Sequence, residues 1–184
     1  MGLGMFAPDF FYRKLLGFYG NPNLEKSVNE HLPTDSLAFV KTETGINISY
    51  APPWFVPAIM KLDYDVLYLR TVTIHGEFIE VVVNEASRIT TWVDRSAGRL
   101  IYWPDFLLTM NSVKQLRPGD NPVKIKPLEH ASLVSTEYTF LRPTAIRQQW
   151  LQVELTDKNF IKIGTGWIRW QENGSLIISY SLFS

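Results

Sequence analysis

Cysteine is absent from the 184 residues, which excludes a disulfide framework, a thiol nucleophile and thiolate metal sites. An excess of either charge is absent as well. Eighteen Lys and Arg balance eighteen Asp and Glu, so phosphate-driven nucleic-acid binding has no electrostatic basis at whole-chain level. No apolar run approaches the ~20 residues that cross a bilayer, and no transmembrane helix is expected. Histidine is scarce: His31, His75 and His130 stand outside any His-Glu-x-x-His spacing, and neither a metal nor another cofactor is expected. Nucleophile-elbow, Walker and dinucleotide-binding glycine motifs are all missing. Asp63 and Asp65 flank Tyr64 without the further oxygens that calcium or acid–base chemistry needs, so a turn or strand-start role is expected. The chain is therefore read as a non-enzyme, with no catalytic residue assigned. The opening Met1-Gly2-Leu3-Gly4-Met5-Phe6 carries no basic, apolar signal pattern, and Phe6 stands where a myristoylation motif wants Ser or Thr. A cytoplasmic protein is the default expectation, and export with the signal already removed stays open.

Hydrophobic residues make up 46% of the chain, enough to build a packed core over one domain or several small ones. Pro8 to Tyr19 has Pro at a first-turn position and Phe11, Leu15 and Phe18 at i, i+4, i+7, which predicts a helix stopped by Gly20. A second short helix is predicted with Asn21 as N-cap, Pro22 at its first position and Leu24, Val28 and Leu32 on one face, ending at Pro33. Leu37 to Lys41 and Ile46 to Tyr50, around the Gly-containing turn Thr42-Glu43-Thr44-Gly45, predict a β-hairpin. Ala51 to Pro57 carries three prolines and reads as a bridge to the β-rich remainder. From Asp65 onward, short β-branched and aromatic runs alternate with turn residues. The strongest turn cluster, Arg117-Pro118-Gly119-Asp120-Asn121-Pro122, marks a second boundary. The segments expected are 1–52, 53–116 and 117–184.

The last two segments resemble each other. Tyr68-Leu69-Arg70 lies over Phe140-Leu141-Arg142, an offset of 72 residues (140 − 68). At that offset Ile74 meets Ile146, Phe78 meets Trp150, Ile79 meets Leu151, Val81 meets Val153, Val83 meets Leu155 and Glu85 meets Asp157. Beyond a polar loop the offset becomes 75 (167 − 92), where Thr90 meets Thr165, Trp92 meets Trp167 and Val93 meets Ile168. One residue more places Gly98 to Ile101 over Gly174 to Ile177. Period-two alternation puts Ile79, Val81 and Val83 inward in one copy and Leu151, Val153 and Leu155 inward in the other. Phe78 and Trp150 are then expected outward. A duplication explains this pattern, and two similar hairpins of one all-β domain would also give it.

The run Trp150-Leu151-Gln152-Val153-Glu154-Leu155, followed by Gly164-Thr165-Gly166-Trp167-Ile168 and closed by Leu182-Phe183, resembles the second half of bacterial SH3-like (SH3b) domains. The first copy departs from that pattern, with Thr91 in place of the glycine before Trp92. The resemblance implies small five- to six-stranded barrels that commonly bind peptide or cell-wall material. The expected fold is mainly β: two SH3-like small β-barrels in tandem with an N-terminal helical and hairpin segment. Barrels this small are marginal alone, so packing on each other and on the Phe-rich first helix (Phe10, Phe11, Leu15, Phe18, Tyr19) is expected. The expected function is recognition of a peptide, protein or cell-wall fragment through aromatics of the second barrel. The candidate ligand-binding residues are Trp150, Trp167 and Tyr180, with Arg142, Arg147 and Arg169 favouring an acidic ligand. The alternative is a structural or assembly protein that associates through barrel edges or the Phe-rich helix. The oligomeric state is not legible.

Overall fold

A computed structural model describes residues 1–43 and 45–183. Strands dominate: β1 (Gly4–Pro8), β2 (Leu15–Phe18), β3 (Asp35–Thr42), β4 (Gly45–Tyr50), β5 (Ile59–Lys61), β6 (Val66–His75), β7 (Phe78–Asn84), β8 (Ile89–Asp94) and β9 (Gly98–Tyr102). A single turn-and-a-half helix, α1 (Trp103–Leu108), follows. Then come β10 (Ser112–Gln115), β11 (Phe140–Arg147), β12 (Trp150–Thr156), β13 (Lys162–Arg169), β14 (Gln171–Glu172), β15 (Ser175–Leu176) and β16 (Ile178–Ser181). The chain divides into two compact units, Gly2–Trp103 and Pro104–Ser184, the second taking in Met1. The sequence reading had placed its divisions at 52/53 and 116/117.

The two predicted N-terminal helices do not form. The first is β1, a turn and β2; the second keeps only a 3-10 turn at Val28–Glu30. The reason lies in where the apolar side chains go. Met5 and Phe6, neighbours in sequence, are both fully buried, as a strand covered on both faces allows. Leu16 and Phe18, two apart, are buried beside an exposed Leu15, which is the period of a strand. The hairpin of β3 and β4 forms where expected, with Thr42 opposite Gly45; Thr44 of its turn lies outside the described residues. Trp54 and Phe55 of the proline-rich bridge pack around Phe18, at ring separations of 5.4 and 6.0 Å.

In the Gly2–Trp103 unit the main sheet runs β8-β7-β6-β1-β9; in the other unit it runs β13-β12-β11-β10-β16. Each order is a three-stranded meander whose first strand pairs the opening strand, which in turn pairs the closing strand. The pairing registers agree as well. Thr71↔Val81, Thr73↔Glu80 and Ile74↔Ile79 recur, 72 residues on, as Pro143↔Val153, Ala145↔Gln152 and Ile146↔Leu151. The one-residue bulge falls at Val72 in the first set and at Thr144 in the second. On the other side of the meander, Glu80↔Trp92 corresponds to Gln152↔Trp167. The closing strands correct the sequence alignment. Phe6↔Leu100 has its counterpart in Val113↔Tyr180, an offset of 80 (180 − 100). The hairpin β14–β15, turned at Asn173 and Gly174 with φ of 49° and 71°, absorbs the extra residues.

Neither sheet closes into a barrel. Among the described residues, β8 does not pair β9 and β13 does not pair β16. The outer edges of β8 and β13 are instead met by the segment that follows each opening strand. Tyr19 exchanges backbone hydrogen bonds of 2.8 and 3.1 Å with Trp92, and Lys124 exchanges bonds of 2.8 and 2.7 Å with Trp167. Gly166 makes the second approach possible, because a Cβ there would collide with Val123. At the matching position Thr91 donates its hydroxyl to the Tyr19 carbonyl at 3.0 Å.

Candidate functional site

The covering segments also overturn the expectation of outward aromatics. Phe78 is fully buried, with Tyr19 and His31 edge-on to it at 5.5 Å each. Trp150 is only 4% exposed, and the Lys124 ammonium sits 5.5 Å from its ring centre. Both faces of β7 and β12 are covered, so Trp150 is a core residue. Trp167 is half-buried and fixed through its backbone by Lys124. Arg169 is engaged by acids of its own unit, Glu172 at 2.7 Å and Glu129 at 3.9 Å. The buried Asn121 amide brackets its backbone, accepting at 2.9 Å and donating at 2.7 Å.

Tyr180 and Arg142 lie elsewhere. β10 and β11 share a single cross-strand pair, Val113↔Leu141, and then diverge. The wedge between them is a groove of about 520 Å³, lined by Lys114, Gln115, Pro118, Tyr138, Phe140 and Tyr180 among others. Gln115 spans it weakly, its amide donating to the Tyr138 hydroxyl at 3.5 Å. Tyr180 is held edge-on against Phe106 at 5.3 Å. A second hollow of about 410 Å³ continues from the groove, sharing Ser112 and Phe140 with it. Its other walls include Arg142, Glu154, Phe160 and Lys162. Phe140 and Phe160 lie parallel, 4.6 Å apart and 6° from coplanar, so two aromatic plates separate the groove from its charged end.

Lys162 donates to Glu154 at 2.7 Å. That bond, with the positive charges of Lys162 and Arg142, holds the Glu154 carboxyl below its ordinary range against a smaller desolvation effect. Arg142 itself is exposed and has no ion-pair partner among the described residues. Hydroxyls, an amide, aromatic faces and cations therefore converge here, a set suited to recognition. Tyr138, Phe160 and Pro118 were not singled out from sequence. Phe160 carried a signal, as a large apolar residue in the polar turn between β12 and β13, where it is 60% exposed.

The histidines have structural partners or stand apart from this site. His31 accepts the Asn23 backbone N–H at 2.9 Å through Nε2, leaving Nδ1 to donate to the Ser27 carbonyl at 3.0 Å. Among the described residues, no three His, Asp or Glu side chains gather as a metal site would require. Comparison with protein-family models, with curated proteins and with solved structures finds no match to this chain.

Proposed function

We propose that the chain is a non-catalytic binding module for a peptide, protein or cell-wall fragment, built from two SH3-like units in tandem. The tandem reading is supported by the shared strand order and by cross-strand registers that agree down to the position of one bulge. The observation that carries the binding reading is the wedge between β10 and β11. It presents Tyr138, Phe140 and Tyr180 around an open groove, the kind of concave, aromatic-lined surface on which extended ligands dock. The site thus keeps Tyr180 and Arg142 of the sequence proposal and drops Trp150 and Arg169.

Peptides selected from a random display library on the full chain test this reading by amide chemical shifts. Selected peptides are expected to move residues 112–115, 138–141 and 179–181. Tyr138→Ala is expected to weaken them by roughly tenfold, or about 1.4 kcal/mol, at unchanged melting temperature. Shifts gathered on the Gly2–Trp103 unit, or no selected peptide at all, would overturn it.

A second reading, self-association, is favoured by Phe11, Tyr12 and Leu15, which are 55%, 86% and 59% exposed on or beside β2. Exposed aromatics of this size mark contact surfaces when they adjoin one another. A sedimentation coefficient constant over a wide concentration range removes this reading.

A further inference from the structure

Resting on the binding reading above, we infer that the groove takes an acidic peptide segment, with apolar side chains among Tyr138, Phe140 and Tyr180 and carboxylates on Arg142 and Lys114. The argument starts from an arginine that occurs twice. Arg70 and Arg142 occupy the same register position, opposite Val82 and Glu154. Arg70 is satisfied within its own unit: Glu85 accepts from it at 3.0 and 3.3 Å, and the Trp103 ring lies 5.6 Å from its guanidinium carbon. The sequence counterpart of Glu85 is Asp157. Its carboxylate is spent on the turn that follows β12, where Oδ1 accepts the backbone N–H of Asn159 at 2.8 Å and of Ile161 at 2.9 Å. Arg142 is thereby left with no carboxylate of its own. The one acid opposite it, Glu154, is already bonded to Lys162.

The charge of the whole trough follows the same direction. Lys114, Arg142 and Lys162 line the two joined hollows against the single acid Glu154, in a chain whose charges otherwise balance. Guanidinium groups prefer carboxylates because they can donate two parallel hydrogen bonds. A peptide suits the place better than a sugar because both walls of the wedge are peptide strands. An extended chain laid between them meets main-chain groups along its length.

The test compares four probes by fluorescence anisotropy on the full chain. They are a short peptide with an aromatic half and an Asp-rich half, its twin with Asn for every Asp, an oligogalacturonate, and a Lys-rich peptide as control. The acidic peptide is expected to bind about tenfold or more tighter than its Asn twin, with the gap narrowing as salt rises. Arg142→Gln is expected to remove most of that gap and leave the Asn twin unaffected. Arg142 is exposed and unpaired, so the variant keeps its fold, which a melting curve verifies. Equal binding of both twins in the groove would overturn the acidic-ligand inference and leave the binding reading standing. No binding of any probe would overturn both. Binding of oligogalacturonate alone would overturn the peptide assignment.

Discussion

The two units differ most in the segment between their opening strand and their meander. In Gly2–Trp103 that segment folds into its own sheet, β2-β3-β4. It contributes Phe10, Leu16, Phe18, Leu37, Phe39 and Ile46 to one buried cluster with the meander residues Leu69, Ile79, Val81 and Val93. In Pro104–Ser184 the corresponding stretch, 116–139, forms no named strand. Ile125, Leu128 and Leu133 in it are 52%, 59% and 59% exposed. One unit has therefore used its insertion to enlarge a core. The other has left β10 and β11 divergent, with a groove between them. The comparison teaches that a repeated strand scaffold leaves its insertion free to serve either packing or recognition.

Three experiments break or sharpen the contrast. The largest effect is expected where the units agree. Phe78→Ala and Trp150→Ala each remove a ring covered on both sides, and each is expected to cost about 3–5 kcal/mol in urea denaturation. A Trp150 variant of wild-type stability would return that residue to the surface and weaken the correspondence with Phe78. A smaller effect is expected where the units differ. Arg70→Gln breaks the half-buried pair with Glu85 and should cost about 1 kcal/mol, whereas Arg142→Gln should stay within about 0.5 kcal/mol. Equal losses would show that Arg142 has a structural partner. The smallest effect concerns two hydroxyls, one in each unit. Thr71 and Thr156 each bury an Oγ1 with no hydrogen-bond partner among the described residues. Thr71→Val and Thr156→Val are expected to be neutral or to stabilise by up to about 1 kcal/mol, read as a rise in melting temperature.

Much of the β framework was legible because it rests on period two. Ile79, Val81 and Val83 are fully buried, as are Leu151, Val153 and Leu155. The alternation failed where it predicted a solvent face. Phe78 and Trp150 stand on faces that Tyr19 and Lys124 come back to cover, and no local pattern records that return. The N-terminal helices failed for a related reason. Phe11, Leu15 and Phe18 suit a helix, Leu16 and Phe18 suit a strand, and the choice is made by β3, which supplies the partner backbone for β2. Within the candidate site, Tyr180 and Arg142 could be found on strands. Tyr138 and Phe160 reach it from a long connection and a turn, whose paths depend on tertiary contacts.

The opening strand of each main sheet is made first and sheltered last. β1 is flanked by β6 on one side and by β9 on the other, with Gly4 paired to both Thr71 and Tyr102. On the ribosome, Met5 and Phe6 must therefore emerge well before either neighbour has been synthesised. Pairings this distant in sequence are slow to form, and apolar residues waiting for them are open to misassembly. The interval between the birth of β1 and the arrival of β9 is thus a window in which a chaperone holding the nascent N-terminus would raise the yield of native protein.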